Sequence, residues 1–330
     1  MRTALILVTA ALVGCNGATK SPGNGGNGNG GNGGGGSSGG PQSYSLTFGP
    51  ILVPAGTENT QCIVQRLGNP TPLHVGSVHN SLGTASHHMV VYRVNDTTEQ
   101  TTPFACQPFQ DTVTGNGNPI IISQKSDDLL EMPAGVAYTL DANQMIRIEM
   151  HYINATTSDV MLTSTTTMTE VTDYQNEASF LLIGDMDISI PSNSDVTLGP
   201  VFLPLDPLYA DANFFAITGH EHRLGTDVQV ATAASASDNG AMVYDVPNWI
   251  WSEPATVHHD PAFKLAPGGG FRFSCKWHNP NPDASAPPVV FGESANDEMC
   301  FFWAYYYPSH GSHVCLHSDA NGMSSNRCSK

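Results

Sequence analysis

Four short motifs in this chain carry nitrogen or sulfur donors: His87-His88-Met89, His151-Tyr152, His220-Glu221-His222 and Asp297-Glu298-Met299-Cys300. Neutral imidazoles and a thioether are metal donors, so the first chemistry to weigh is a metal centre. His220 and His222 follow the apolar run Phe214–Ile217. On a strand, residues i and i+2 share a face, so this pair can hold one ion while Glu221 points away. His87 and His88 are adjacent and would face opposite ways on a regular strand. Shared ligation there requires a strand start or a bulge. His151 ends the alternating segment Met145–Tyr152 and shares its face with Glu149. Met299, taken singly, reads as core. A second adjacent pair, His258-His259, sits beside Asp260-Pro261 in an apparent turn. His310, His313 and His317 lie with Cys315 in a Gly/Ser-rich tail, which reads as a solvated, disulfide-closed loop; the alternative is a third metal site. His74, His79 and His278 read as structural.

These donors need rigid elements to hold them. No 3.6-residue amphipathic period runs through the chain beyond Ser43. Short apolar or alternating segments recur instead: Ser45–Leu52, Met89–Val94, Pro119–Ile122, Met145–Tyr152, Val160–Met168, Phe180–Ile183, Phe214–Thr218, Val228–Thr232, Phe271–Trp277 and Met299–Tyr306. Gly, Pro, Asn and Asp separate them, which predicts an all-β protein of sandwiches or barrels. The polar stretch Glu170 to Glu177 predicts a boundary between two β-domains, 43–174 and 175–330.

Composition narrows the partners. Lys+Arg number 12 against 29 Asp+Glu, for a formal charge of −17. So few cations cannot neutralise many phosphates, which argues against nucleic-acid binding. Arg2 and the apolar run Ala4–Gly14 read as a signal peptide, too short to span a bilayer as a helix. The run ends in Leu12-Val13-Gly14-Cys15, which resembles a bacterial lipobox with Cys15 as the lipidated residue after removal of 1–14. Asn16, rather than Asp, follows it, which points to the outer membrane or cell surface rather than the inner membrane. From Pro22 to Pro41 there are 12 Gly and 4 Asn. Residues 15–42 therefore read as a lipidated, core-free tether spanning roughly 28 Å as a coil. The membrane is expected to be met through this lipid only, and the protein is expected to be a monomer. Without Cys15, six Cys remain: 62, 106, 275, 300, 315 and 328. Export to an oxidising compartment makes three disulfides the natural reading, although sequence alone does not pair them.

Taken in order, HHM, HY, HxH and DEMC followed by Tyr305-Tyr306 resemble the copper type II, ascorbate-dependent monooxygenases, the family of peptidylglycine α-hydroxylating monooxygenase and dopamine β-monooxygenase. The resemblance runs from about Ser43 to Pro308. Gln61-Cys62, Leu224-Gly225 and Cys275 also match, and Glu149 stands where the family commonly has Gln.

The resemblance implies two tandem antiparallel, jelly-roll-like β-sandwiches with two copper ions per chain. His87, His88 and His151 would hold the first copper, for electron storage and transfer. His220, His222 and Met299 would hold the second, where O2 binds and the substrate C–H bond is cleaved. The donor types suit this metal: imidazole serves both copper oxidation states, and a thioether favours the reduced one. The resemblance further implies the disulfides Cys275–Cys300 and Cys315–Cys328, leaving Cys62 with Cys106. An external reductant such as ascorbate would supply electrons. Departures bear on the substrate. Thr218 stands where peptide-hydroxylating members carry an Arg that grips a carboxylate, and Phe301 and Trp303 replace their Asn and Tyr. Loss of the carboxylate clamp and gain of aromatic surface imply a small apolar or aromatic substrate with an activated C–H. The competing reading is a non-catalytic copper-binding or copper-storage surface lipoprotein. A purely adhesive β-protein would not need six donors in this order.

Overall fold

The computed structural model describes residues 40–109, 112, 117–319 and 325–328. The expected signal peptide, Cys15 and nearly all of the tether lie outside these residues. Every one of the ten apolar segments read from the sequence lies on a strand, apart from Met299, which immediately precedes one. A 3-10 turn, Pro207–Asp211, is started by Asp206, whose carboxylate accepts the Leu208 N–H.

The strands form four main sheets. In the first half of the chain an outer sheet runs in the order Ser43–Val53, Val160–Glu170, Leu73–Ser81, Val136–Leu140, Asn176–Glu177, with Asp127–Glu131 also paired to Leu73–Ser81. The inner sheet of this half runs Gln100–Ala105, Glu58–Arg66, Met145–Ile153, Ser86–Val94, Gly117–Ser123. In the second half the inner sheet runs Thr256–Phe263, Asn213–His220, Cys300–Tyr307, Ser179–Asp185, His313–Ser318, Ser325–Cys328. Its outer sheet runs Ser194–Pro204, Gly270–Asn279, Gly225–Ala233, Ala241–Asp245. The pairings are antiparallel except Asn176–Glu177 with Val136–Leu140 and Ser179–Asp185 with His313–Ser318. The fold is therefore all-β, two sandwich-like sheet pairs in tandem. Strand pairing of the first half continues to Glu177, and that of the second begins at Ser179.

The second half's inner sheet is buried on both faces. Phe180 and Leu182 join one core with Trp303 and Tyr305, and Leu181 and Ile183 join another with Phe302 and Tyr306. The first of these cores also holds first-half residues such as Val90, Ile121 and Ile148, whereas the second packs against Val228, Phe273 and Trp277 of the outer sheet. Two-sided burial explains why Ser179–Asp185 and Cys300–Tyr307 read as unbroken apolar runs rather than alternating ones.

The disulfides are Cys62–Cys106, Cys275–Cys300 and Cys315–Cys328. The second ties the strand that begins just after Met299 to the outer sheet across the second sandwich. One expectation fails. His258 and His259 are not in a turn: they lie on the strand Thr256–Phe263. Its pairing with Asn213–His220 steps from Phe263 directly to His258, so the intervening residues bulge and give the Asp-Pro stretch its turn-like look.

Candidate metal centre

The His87-His88 pair opens the strand Ser86–Val94, and the register against Met145–Ile153 slips between Ser86 and His88. That irregularity lets adjacent residues turn their rings to one site. The ring centroids of His87 and His88 are 5.3 Å apart, and His151 lies 5.1 Å from the first and 4.8 Å from the second. His88 and His151 are direct cross-strand partners. The second pair lies at the end of Asn213–His220, with ring centroids of His220 and His222 5.1 Å apart. The two sets are adjacent: His87 is 6.2 Å from His222 and His88 is 6.4 Å from His220.

All five rings are buried and neutral. Burial carries His87, His88 and His220 well below the usual imidazole range, lowers His151, and lowers His222 to about 4. Partners divide the ring nitrogens. His151 Nε2 lies 3.0 Å from a Glu58 carboxylate oxygen, so it carries the proton and leaves the Nδ1 lone pair facing His88 Nε2 at 3.1 Å. His220 Nδ1 is 2.9 Å from Gln124 Oε1, and His222 Nδ1 is 3.2 Å from the Asp297 carbonyl oxygen. His87 Nε2, His88 Nδ1 and His220 Nε2 are buried without a hydrogen-bond partner. Buried, unpaired, neutral imidazole nitrogens on both sets are what metal ligation would satisfy. Among the described residues, however, no three His, Cys, Asp or Glu side chains stand in metal-holding geometry. In the first set the close His88–His151 contact occupies the space between those donors, and in the second the third donor would be a thioether.

Met299 is buried and lies on the loop side of Cys300–Tyr307. Glu298, beside it, accepts the N–H groups of His222 (2.9 Å) and Leu224 (2.7 Å) and the Trp277 indole N–H (2.9 Å). This carboxyl, pushed up to about 7 by burial, fastens the turn after His222 to the segment carrying Met299. Met299 and His220 both line an apolar cavity of about 290 Å³, with Phe109, Phe301, Trp303 and Glu293 among its other walls. Gly184, across from Phe301, leaves room for that ring: a Cβ there would lie 2.2 Å from Phe301 Cδ1. Burial pushes the Glu293 carboxyl up to about 7. Thr218 is not among the lining residues, and its hydroxyl pairs with Thr256 at 2.8 Å.

Residues 178–327 match the family model described as "Copper type II ascorbate-dependent monooxygenase, C-terminal domain". The match covers a C-terminal stretch of somewhat less than half the chain. No curated protein sequence matches the chain. Among solved structures, the major capsid protein P2 of bacteriophage PM2 is similar at 8% identity and a TM-score of 0.33, covering 82% of this chain and 100% of its own. A Sulfolobus turreted icosahedral virus structure is similar at 11% identity and a TM-score of 0.31, covering 82% of this chain and 89% of its own. At those scores neither bears on function.

The half that carries the family match thus contributes His220, His222, Met299 and most of the cavity wall, and the first half contributes His87, His88, His151 and Phe109. Several residues near the site were not singled out from the sequence. Trp251, from a second-half loop, lies 5.3 Å from His87. Phe109 lies 4.9 Å from His88 and 6.3 Å from His220, with a left-handed φ of 53° that is strained for a bulky side chain. Its N–H is held at 2.9 Å by Glu149, which also accepts the Tyr92 hydroxyl at 3.1 Å. Burial pushes Glu149 up to about 7. A left-handed Phe has no signature in a single sequence. Of the tail histidines, His310 pairs with Asp211 at 2.6 Å and its carbonyl oxygen lies 3.0 Å from His313 Nε2, whereas His317 pairs with Asp185 at 2.8 Å.

Proposed function

We propose that this chain is a two-copper monooxygenase that hydroxylates an activated C–H bond of a small apolar or aromatic molecule, using O2 and an external one-electron reductant. The observation that carries the proposal is the placement of His220 and Met299 on the wall of an apolar cavity, with the unpaired Nε2 of His220 buried there. Copper, when bound, would supply one-electron chemistry and O2 activation. His87, His88 and His151 would hold one ion, and His220, His222 and Met299 the other.

The chain's own contributions follow from the geometry. Phe301 and Trp303 present apolar surface beside His220, suited to hold a substrate ring against that side of the cavity. The buried walls exclude water from the reacting C–H, which limits release of unproductive oxygen products. Glu58 keeps the His151 proton on Nε2, so that its Nδ1 is the donor atom. In the cell we place the protein in a bacterial envelope, anchored by lipid on Cys15 and held clear of the membrane by its tether.

The test is a reductant-driven assay of the copper-loaded full chain, with O2 uptake and product measured together over a panel of small aromatic and aliphatic compounds. Two coppers per chain with matched uptake and product support the proposal. Two coppers without product would favour copper storage, and fewer than two would reject the ligand assignment.

A further inference from the structure

Two first-half residues at the metal centre, Gln124 and Glu58, hydrogen-bond across to the other half of the chain. Gln124 follows the first-half strand Gly117–Ser123 and is buried. Its Oε1 lies 2.9 Å from Nδ1 of His220, a second-half residue. In the reverse direction, Glu58 of the first half accepts the Ala295 N–H (2.9 Å) and the Ser294 hydroxyl (3.2 Å) from the loop before Met299, while also holding His151. The position of Gln124 is set by packing between the halves. Two residues earlier, the Ile122 N–H donates to the hydroxyl of Tyr305 at 3.2 Å, and Tyr305 stands on the strand that follows Met299.

A neutral imidazole carries one proton on one of its two nitrogens. An amide oxygen accepts and does not donate, so Oε1 facing Nδ1 requires the proton to be there. Nε2 of His220 is then a lone-pair donor, and it is the atom left buried without a partner. The opposite amide orientation would place the proton on Nε2 and block it as a ligand. Gln124 Nε2 is itself buried without a partner, so only the oxygen end is engaged.

We infer that Gln124 is a positioning residue for the second copper site, acting from the first half of the chain by fixing His220 as the tautomer whose Nε2 is free to ligate. The inference rests on the copper reading above, and it goes further: the half of the chain that carries the family's own signature lacks the group that sets one of its ligands. Glu58 shows the same arrangement in reverse, since second-half donors fix the carboxylate that orients His151.

The experiment has a metal-free arm and a copper arm, both on the full chain. In the metal-free protein, long-range 1H–15N correlations of the imidazole report the His220 tautomer. Wild type is expected to show Nδ1–H. Gln124→Leu, close in volume but without an acceptor, should lose that preference. Its copper affinity at the sulfur-containing site should fall about 10–100-fold, the usual cost of removing an outer-shell partner, with the His87/His88/His151 site unchanged. Gln124→Glu keeps an acceptor oxygen at the same reach and should restore both readings. If Gln124→Leu does not fold, Gln124→Asn withdraws the amide by one methylene and tests the same point. Nε2–H on His220 in wild type would overturn the inference. So would an unchanged tautomer and affinity in Gln124→Leu or Gln124→Asn, or no restoration in a folded Gln124→Glu. Failure of wild type to bind copper with sulfur ligation would instead strike the copper reading, and the metal-free arm would still judge the role of Gln124.

Discussion

The two histidine sets are neighbours built for different surroundings. His87, His88 and His151 come from two paired strands of one sheet, touch one another, and are tied to the carboxylate of Glu58. None of the three lines the cavity. His220 and His222 come from a single strand end, are set by the carbonyl oxygens of Gln124 and Asp297, and give onto apolar space shared with Met299. One set has donors without room for a substrate, and the other has donors with room. The difference agrees with the proposed division of roles, in which the second set faces the substrate and the first does not.

The most drastic way to break this comparison is to delete one set and leave the other. His151→Ala should abolish steady-state hydroxylation, while copper still binds at the sulfur-containing site. Copper stoichiometry and turnover on the same sample decide it, and a normal rate would show that the first set is dispensable.

Met299→Ile sharpens the second half of the comparison. Ile fills similar space without a sulfur lone pair, so the metal-free protein should lose less than about 1.5 kcal/mol. Hydroxylation should nevertheless vanish. A thermal melt of the metal-free variant beside an assay of the copper-loaded one separates the two roles, because retained activity would make Met299 core only.

A smaller effect is expected from Gly184→Ala. The new Cβ would meet the Phe301 ring and push it into the cavity. KM for a substrate that fills the cavity should rise roughly tenfold, as for a misplaced methylene in an apolar pocket. Copper binding by either set should not change, and a loss of copper at the second set would mean that the ring supports the ligands.

The mildest prediction concerns pH. Glu293 lines the cavity with its carboxyl raised to about 7, so it is protonated below that pH and charged above it. An apolar ligand covers it further, which disfavours the charged form. KM for a neutral substrate should therefore rise as pH increases through about 7, and Glu293→Gln should flatten that rise. A cationic ligand should show the opposite trend, so the sign of the profile also reports the charge of what the cavity prefers.

Much of this was legible in the sequence because it rests on spacing. Strand periodicity put His220 and His222 on one face, and adjacency forced a choice between a strand start and a bulge for His87-His88; the structure has both. Ser194–Pro204 and Asp127–Glu131 are less legible because Gly199-Pro200 interrupts the first and the second is a five-residue segment with three acidic residues. Spacing from a ligand does not say which neighbouring strand a side chain meets, so the pairing of Thr218 with Thr256 was not legible. Gln124 and Glu58 were invisible for a related reason. Each acts through a partner 96 or 93 residues away in the chain, and no local pattern marks such a residue.

The two-faced inner sheet of the second half has a consequence for inheritance. Phe180, Leu182, Phe215, Trp303 and Tyr305 face the first half, and their opposite neighbours face the outer sheet. A gene fragment encoding 178–327 alone would display that aromatic wall to water, an exposed apolar surface of the kind that drives aggregation. The recognisable half of this protein cannot be shuffled into new settings as a free module. Wherever it is passed on, a companion sheet must travel with it.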